Sequence, residues 1–345
     1  MLRNTIRTAA IAAVVAFAAL PAAAQNWKPL DGDPKVLNFG IISTESTQNL
    51  KSQWVPLIDA MKAQTGMEVK PFFAPDYAGV IEGMRFGKVH LAWFGNKSGM
   101  EAVDRANGEV FAQVAHANGE QGYYSHIITH VDNNNINSLK DLFATCSARS
   151  VDFGMGDPNS TSGFLVPSFY VFAKNGIDPK SCFKTMRNAS HETNLMAVAN
   201  KQVVAATNNS EQLARSAKAA PAARKNIKVI WTSPLIPGDP MVYRADLSKD
   251  MKAKIKGFFL SFGRMGTPEE VKAALGILKG MSSGYAPFTD SSNAQLYPIR
   301  QLALFKDKIK ISGDSRMDAA EKAKKIEAIE KELAKLDVLS SAQTM

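Results

Sequence analysis

Three consecutive hydroxyl residues, Ser160, Thr161 and Ser162, follow a strand-like segment and precede an apolar helical segment. Hydroxyl side chains at a helix start cap the free N–H groups of the first turn, and the helix end carries partial positive charge. Because the run from Gly156 to Gly163 contains no lysine or arginine, we expect an anion site that holds a tetrahedral oxyanion with neutral donors. An ordinary helix cap, which needs one such residue, is the alternative.

Four other polar turns follow predicted strands, and they carry Tyr77, His191, Glu211 and Asp239. Ligands of open α/β sheets bind beyond the carboxyl ends of the strands. We therefore expect these side chains to face the anion site, where His191 could donate to the same anion. The two carboxylates could bind an ammonium group. Taken singly, each turn is also consistent with a solvated loop.

Strand-like and helical segments alternate along the chain, which predicts parallel α/β sheets. The first series opens with the strand Val36–Ser43 and the helix Gln48–Gln64, whose apolar residues recur at helical spacing. The second series opens with the strand Val151–Gly154 and a helix over Gly163–Asn175. The helices predicted to close the chain are Lys249–Phe262, Pro268–Lys279 and Asp318–Leu339. Two α/β lobes around a cleft are the predicted architecture.

The composition is globular, with 45% hydrophobic and 21% charged residues in a chain of 345, and it excludes a disordered or fibrous protein. At about 150 residues per domain, two domains are expected. The net charge is +9, but the basic residues are dispersed, so we predict no nucleic-acid partner. The sequence carries no Walker A loop, dinucleotide fingerprint or metal-ligand cluster, so no cofactor is predicted.

Residues 1–24 have the pattern of a secretory signal peptide. Arg3 and Arg7 precede an apolar run that ends at Leu20, and small residues lead to a cleavage site after Ala24. The apolar run is too short for a bilayer, which takes about 20 residues. We therefore predict a soluble, exported protein located in the periplasm.

Export places the two cysteines, Cys146 and Cys182, in an oxidising space. Each precedes a strand-like segment, and a βαβ connection would bring both to the same end of parallel strands. A disulfide is the preferred interpretation, and two separate buried thiols are the alternative. Two isolated cysteines lack the paired ligand spacing of a zinc site.

An enzymatic alternative rests on Ser282, which lies in a G-x-S-x-G pattern over residues 280–284. A nucleophile elbow of a hydrolase requires a strand before the serine and a helix after it. Here a helical segment precedes Ser282 and a proline-containing loop follows it. We therefore predict that the protein is not an enzyme.

Several runs of the sequence resemble the periplasmic phosphonate-binding proteins of bacterial phosphonate ABC importers. They are LNFGIISTES (37–46), FFAPDYAG (72–79), AWFGN (92–96), GDPNSTSGFLVP (156–167), HETN (191–194), ATNN (206–209), SPLIPGDP (233–240) and YPIRQLALFK (297–306). The resemblance covers roughly residues 36–340, and GDPNSTSGFLVP and SPLIPGDP are highly specific.

The resemblance implies a type II periplasmic-binding-protein fold, in which two α/β lobes enclose a ligand cleft and two crossing strands join them. Lobe 1 comprises residues 25–125 and 239–345, with the C-terminal helices, and lobe 2 comprises residues 126–238. Hinges are expected near 123–130 and 233–241. The implied function is a receptor that captures a phosphonate, above all 2-aminoethylphosphonate, and delivers it to an ABC permease on closing.

The resemblance also implies roles for individual residues. The phosphonate oxygens are assigned to Tyr123, Ser160, Thr161, Ser162 and His191, and the amino group to Tyr77, Glu211 and Asp239. Two positions depart from the family pattern: Phe94, expected beside the pocket, stands in place of a tyrosine, and Val204 in place of an acidic residue. A same-fold receptor for phosphite, phosphate or an organophosphate ester is the alternative function.

The last predicted helix carries a nearly heptad-spaced apolar seam formed by Ile326, Ile329, Leu333, Leu336 and Leu339. Two arrangements would bury this seam. The helix packs on its own lobe, which is the preferred interpretation, or it forms the interface of a homodimer, with which the family resemblance is consistent.

Overall fold

The computed structural model describes residues 27–342, so the predicted signal peptide, residues 1–24, lies outside the described residues. The strands in the described part are β1 (Val36–Ile41), β2 (Glu68–Phe73), β3 (Leu91–Trp93), β4 (Gly108–His116), β5 (Gly122–Tyr123), β6 (Ser125–His130), β7 (Asp152–Gly156), β8 (Thr185–Ala189), β9 (Ala205–Asn209), β10 (Ile227–Thr232), β11 (Ile236–Pro237), β12 (Pro240–Arg244) and β13 (Tyr285–Asp290).

The helices are interleaved with these strands. They are α1 (Thr47–Thr65), α2 (Tyr77–Arg85), α3 (Asn96–Arg105), α4 (Leu139–Ala144), α5 (Pro179–Cys182), α6 (His191–Ala199), α7 (Ser210–Ala219), α8 (Pro221–Lys225), α9 (Lys249–Ser261), α10 (Pro268–Gly280), α11 (Tyr297–Gly313) and α12 (Ala319–Ser341). An irregular helix spans residues 161–175, and a short 3₁₀ turn spans Asn293–Leu296. Among the helices of residues 27–342, none is both long and apolar enough to cross a membrane.

Two sheets form the cores of two lobes, as predicted. The six-stranded sheet has the order β13-β4-β12-β3-β1-β2, and the five-stranded sheet has the order β10-β6-β9-β7-β8. The prediction of purely parallel sheets is wrong, because β12 runs antiparallel to both β3 and β4, and β6 runs antiparallel to β9. These strands enter directly from the other lobe, without the helical crossover that parallel neighbours require.

A short antiparallel ribbon links the lobes. It pairs β5 with β11, with Tyr123 opposite Ile236 and Gly122 opposite Pro237. The strands approach so closely that a Cβ on Gly122 would lie 1.9 Å from the Ile236 carbonyl oxygen, which explains the glycine. The expected boundaries after residues 125 and 238 fall within a few residues of this ribbon, where we propose that the hinge also lies.

The first helix shows how sequence periodicity sets the core of lobe 1. Ser46 caps α1 by accepting a hydrogen bond from the Asn49 N–H, and Gly66 ends the helix in the left-handed conformation. The predicted apolar face is the buried face, and it consists of Leu50, Trp54, Leu57, Ile58 and Met61. Each large side chain buried in this way contributes about 1.5–3 kcal/mol to folding.

The C-terminal third holds two elements that the sequence analysis missed, β13 and α11. Pro287 argued against a strand, but it lies at a bulge in the pairing of β13 with β4, where proline is tolerated. Pro298 occupies the first turn of α11, where its missing N–H costs no helical hydrogen bond. The helix α12 packs on α11 and buries Leu333 and Leu336 of the predicted seam.

The structure joins Cys146 and Cys182 by a disulfide. Cys146 precedes β7 and Cys182 ends α5, just before β8, which is the parallel neighbour of β7. The bridge therefore fastens the segments that enter two adjacent strands of lobe 2.

We predict that the unreduced, denatured protein has no titratable thiol and that reduction lowers the free energy of unfolding of lobe 2. The bridge spans 36 residues of sequence, and the chain-entropy cost of such a loop is roughly 3–4 kcal/mol. Urea unfolding with and without dithiothreitol measures the effect. The double variant Cys146→Ser/Cys182→Ser is the control and should not respond to reductant. Two reactive thiols before reduction would contradict the bridge.

Candidate functional site

All eight residues assigned to ligand binding line one cavity between the lobes. They are Tyr77, Tyr123, Ser160, Thr161, Ser162, His191, Glu211 and Asp239. The other residues that line it are Ile42, Thr44, Trp93, Gly95, Asn209 and Arg215. The cavity volume is about 10 Å³, close to that of one water-sized sphere. The lobes are drawn together, and the cavity between them has room for little more than one water molecule.

The hydroxyl run lies at the start of a helix whose first turn is wider than that of the predicted regular helix. Ser160 caps it by accepting a hydrogen bond from Gly163 N–H at 2.9 Å, and the Leu165 N–H donates to the Ser160 carbonyl five residues back. This π-helical turn replaces the regular helix predicted from Gly163. Such turns often mark functional sites, and here the wider turn carries Thr161 and Ser162 into the cavity.

Neighbouring strands of lobe 2 satisfy the carbonyl groups of this turn. Pro167 has no N–H and leaves the Gly163 carbonyl without its helical donor. The Thr207 hydroxyl of β9 donates to that carbonyl at 2.8 Å, and the Ser125 hydroxyl of β6 donates to the Ser162 carbonyl at 2.6 Å. The helix start that carries Ser160, Thr161 and Ser162, called the cradle below, is therefore fixed to the sheet.

Two glycines allow the cradle to pack tightly. A Cβ on Gly156 would lie 2.5 Å from the Gly163 Cα, and a Cβ on Gly163 would lie 3.1 Å from the His191 Cε1. The end of β7, the helix start and the imidazole thus meet without room for a further side chain. This close approach explains the glycines that flank the predicted anion loop.

His191 begins α6 and faces the hydroxyl run. Its Nε2 lies 3.4 Å from the Ser160 Oγ and 3.3 Å from the Ser162 Oγ, and its buried Nδ1 has no hydrogen-bond partner. Burial, aided by the Arg215 charge, lowers the pKa of His191 to about 3. The imidazole is therefore neutral at physiological pH. The cradle thus presents hydrogen-bond donors to an anion without carrying a formal charge.

The carboxylate end of the cavity contains Glu211 and Asp239, both of which are buried. Burial, and secondarily the nearby charge of Glu211, raises the pKa of Asp239 well above its usual value. Tyr123 donates its hydroxyl to the Asp239 Oδ1 at 3.0 Å. The structure thus places Tyr123 against a carboxylate, although the sequence analysis grouped it with the phosphonate oxygens.

Tyr77 begins α2, where Asp76 caps the helix and the Asp157 carboxylate accepts the Tyr77 backbone N–H. Burial is the main cause of a raised pKa for the Tyr77 hydroxyl. Tyr77 therefore remains a phenol and can donate a hydrogen bond throughout the physiological pH range.

Sequence reasoning missed Trp93 and Arg215 as lining residues. Trp93 ends β3, and Arg215 lies one helical turn after Glu211 on α7, a spacing that was visible in the sequence. Phe94 does not line the cavity. It is fully buried in the lobe 1 core, while its neighbours Trp93 and Gly95 line the cavity, so this departure from the family pattern does not fall on a lining residue.

Ser282 is not a catalytic nucleophile. It follows α10 and precedes β13, the reverse of the strand-to-helix order that a nucleophile elbow requires. Its hydroxyl donates to the Glu211 carboxylate at 3.2 Å. In the described part of the chain, no group of three or more His, Cys, Asp or Glu side chains is arranged to hold a metal ion.

Known proteins are similar to this chain in sequence and fold. Residues 39–295 match the family model of the phosphonate periplasmic substrate-binding proteins of ABC transporters. A phosphonates-binding periplasmic protein of Escherichia coli is 54% identical over 89% of this chain and 88% of its own length. A phosphate-import protein of Mycolicibacterium smegmatis is 28% identical over 76% of this chain and 84% of its own length.

A solved structure agrees with both the sequence and the fold. The binding-protein component of an ABC phosphonate transporter from Pseudomonas aeruginosa superposes with a TM-score of 0.84 at 50% identity, covering 91% of this chain and 100% of that one. The predicted two-lobe type II fold is thereby confirmed. The family consists of periplasmic receptors rather than enzymes, and this chain belongs to it: it is a phosphonate periplasmic substrate-binding protein of an ABC transporter.

Proposed function

We propose that the protein captures an aminoalkylphosphonate, above all 2-aminoethylphosphonate, and delivers it to an ABC permease in the inner membrane. One observation carries the choice of ligand. A neutral hydroxyl cradle and a buried carboxylate pair, Glu211 and Asp239, line the same cavity. A ligand with a phosphonate at one end and an ammonium at the other is complementary to both.

The cradle suits the phosphonate group. The hydroxyls of Ser160, Thr161 and Ser162, the neutral His191 imidazole and the helix N–H groups donate to the phosphonate oxygens. The ammonium lies between Glu211 and Asp239, where its positive charge offsets the repulsion of two buried carboxylates. Tyr123 holds the Asp239 carboxylate toward it.

A receptor for phosphate or another small oxyanion is the second candidate, because one relative is named as a phosphate-import protein. Such a ligand fills the cradle but offers no cation to the carboxylates. Ionised Glu211 and Asp239 would repel it, so we expect phosphate to bind more weakly than an aminophosphonate.

Closure of the lobes accompanies capture. The Lys97 N–H of lobe 1 donates to the Thr161 Oγ1 of lobe 2 at 2.8 Å, so a cradle residue also touches the opposite lobe. At another point of the cleft, Glu192 accepts hydrogen bonds from Ser46 and Asn49. A ligand held from both sides shifts the population toward a closed state in which the lobes meet around the ligand, and the permease recognises that state in the periplasm.

We predict that Glu211→Gln and Asp239→Asn each weaken 2-aminoethylphosphonate binding by roughly 30-fold or more, the equivalent of about 2 kcal/mol for a lost buried charge pair. Methylphosphonate has no ammonium, so its affinity should stay constant or rise as the negative charge is removed. Calorimetric titration of both ligands measures the difference. Equal losses for the two ligands would refute this division of roles.

We predict that 2-aminoethylphosphonate displaces a proton from the carboxylate pair. Burial and the Glu211 charge raise the pKa of Asp239 well above its usual value, so this carboxyl takes up a proton at a higher pH than an exposed one, and a bound ammonium favours its ionised form. Affinity for the aminophosphonate should therefore rise with pH through the range in which the Asp239 carboxyl ionises.

The measurement is calorimetry in two buffers of different ionisation enthalpy that contain no phosphorus oxyanion. Methylphosphonate serves as the control, because it reports protons exchanged by the phosphonate and His191 alone. Proton release that is no greater for the aminophosphonate than for methylphosphonate would contradict the prediction. Asp239→Asn should abolish the difference.

A homodimer through α12 remains a prediction. The helix buries Leu333 and Leu336 but leaves Val338 70% and Leu339 37% exposed, so an apolar strip stays open beside the contact with α11. Light scattering of the protein and of a chain that ends before Met317 tests the interface. Loss of dimer mass on truncation is expected, and an unchanged mass would remove the role of the helix.

A further inference from the structure

Arg215 is a buried cation in the cavity lining that the proposed ligand contacts do not use. It lies on α7 of lobe 2, four residues after Glu211, and its side chain is turned toward lobe 1. Its Nε lies 2.6 Å from the Glu45 Oε1, and both side chains are at least 90% buried. A second nitrogen, Nη1, donates to the Ser282 Oγ at 2.7 Å.

Ser282 stands between Arg215 and Glu211. Its hydroxyl accepts from the Arg215 Nη1 and donates to the Glu211 Oε1 at 3.2 Å. The guanidinium and the carboxylate on neighbouring turns of α7 are thus bridged through a side chain of the other lobe. The Glu211 carboxylate is left facing the ligand cavity.

On the lobe 1 side of this contact, the partners of Arg215 are hydrogen-bonded to a common neighbour. Gln53 on α1 donates to the Glu45 Oε1 at 3.2 Å, and the Gln53 Oε1 accepts the Ser282 N–H at 2.9 Å. Ser282 has a φ of +46°, a conformation that costs free energy for a residue with a Cβ. Gln53 therefore positions both Glu45 and Ser282 to contact Arg215.

When the lobes separate, Glu45, Gln53 and Ser282 move away together, because all three belong to lobe 1. Glu211 and Arg215 stay on one helix at the i, i+4 spacing, with the glutamate on the N-terminal side. That arrangement favours a direct ion pair along a helix. Arg215 therefore has two alternative carboxylate partners, and lobe closure selects between them.

We propose that Arg215 exchanges partners on closure, pairing with Glu211 when the lobes are apart and with Glu45 when they meet, so that Glu211 becomes free for the ligand ammonium only in the closed cleft. This inference rests on the proposed function, in which Glu211 binds the ammonium. Arg215, Glu45 and Ser282 are then positioning residues. They make closure more favourable for an ammonium ligand than for a simple anion.

The test is the ratio of affinities for 2-aminoethylphosphonate and methylphosphonate in Glu45→Gln. This variant removes the closed-state partner of Arg215, which then remains with Glu211. We expect the aminophosphonate affinity to fall at least tenfold more than the methylphosphonate affinity. Ser282→Ala removes the hydroxyl bridge and should lower the ratio in the same direction, so it tests the exchange should Glu45→Gln fail to fold.

Glu192→Gln is the matched control. Glu192 also joins the lobes, through Ser46 and Asn49, but it contacts neither Arg215 nor Glu211. A general loss of closure weakens both ligands alike, so this variant should keep the wild-type ratio within about twofold.

The outcomes separate the two proposals. Wild-type preference for the aminophosphonate that is retained in Glu45→Gln and Ser282→Ala would overturn the exchange and leave the proposed function intact. An equal fall of the ratio in Glu192→Gln would also overturn it, because closure alone would then explain the effect. Absence of the preference in the wild-type protein would overturn the proposed function and the exchange with it.

Discussion

Glu211 and Asp239 place two carboxyl groups in a cavity nearly closed to water. The rest of the site is organised around the electrostatic repulsion between these two groups. Glu211 comes from lobe 2 and Asp239 from the segment that returns to lobe 1, and burial together with their mutual charge raises the pKa of Asp239. A cation placed between them relieves the cost. Arg215, the cation among the described lining residues, is directed to Glu45, so under the proposed function it is the ligand that supplies the compensating charge.

The opposite end of the cavity follows from the same constraint. A lysine or arginine in the anion cradle would pair with the carboxylates and fill the site. The cradle instead relies on hydroxyls, backbone N–H groups and a neutral His191, all fixed to the sheet through Thr207 and Ser125. In the proposed function, the neutral cradle would recognise the ligand by shape and the carboxylate end would recognise it by charge.

Much of this site could be predicted from sequence, because side chains that follow strands gather at one edge of an α/β sheet. That rule singled out Tyr77, His191, Glu211 and Asp239 without a structure. The direction of β12 and β6 could not be predicted in this way, since it depends on where the chain re-enters each lobe. The π-helical turn also escaped prediction, because its carbonyl partners lie on other strands. The sequence shows Arg215 only as a helix neighbour of Glu211, and its partner Glu45 belongs to a different lobe.

The hinge that we propose at the ribbon of β5 and β11 would give the cleft a pivot close to one end of the ligand site. Tyr123 lies in the ribbon, and Asp239 follows it by two residues. Rotation about this point would displace groups near the ribbon little and groups far from it a great deal. With the proposed hinge and ligand, Asp239 and Tyr123 would keep almost the same places when the lobes separate, and they would be the first groups to meet an arriving amine. The end of the cleft near the ribbon would then receive the ligand, and contacts at the far rim would set how long it stays bound.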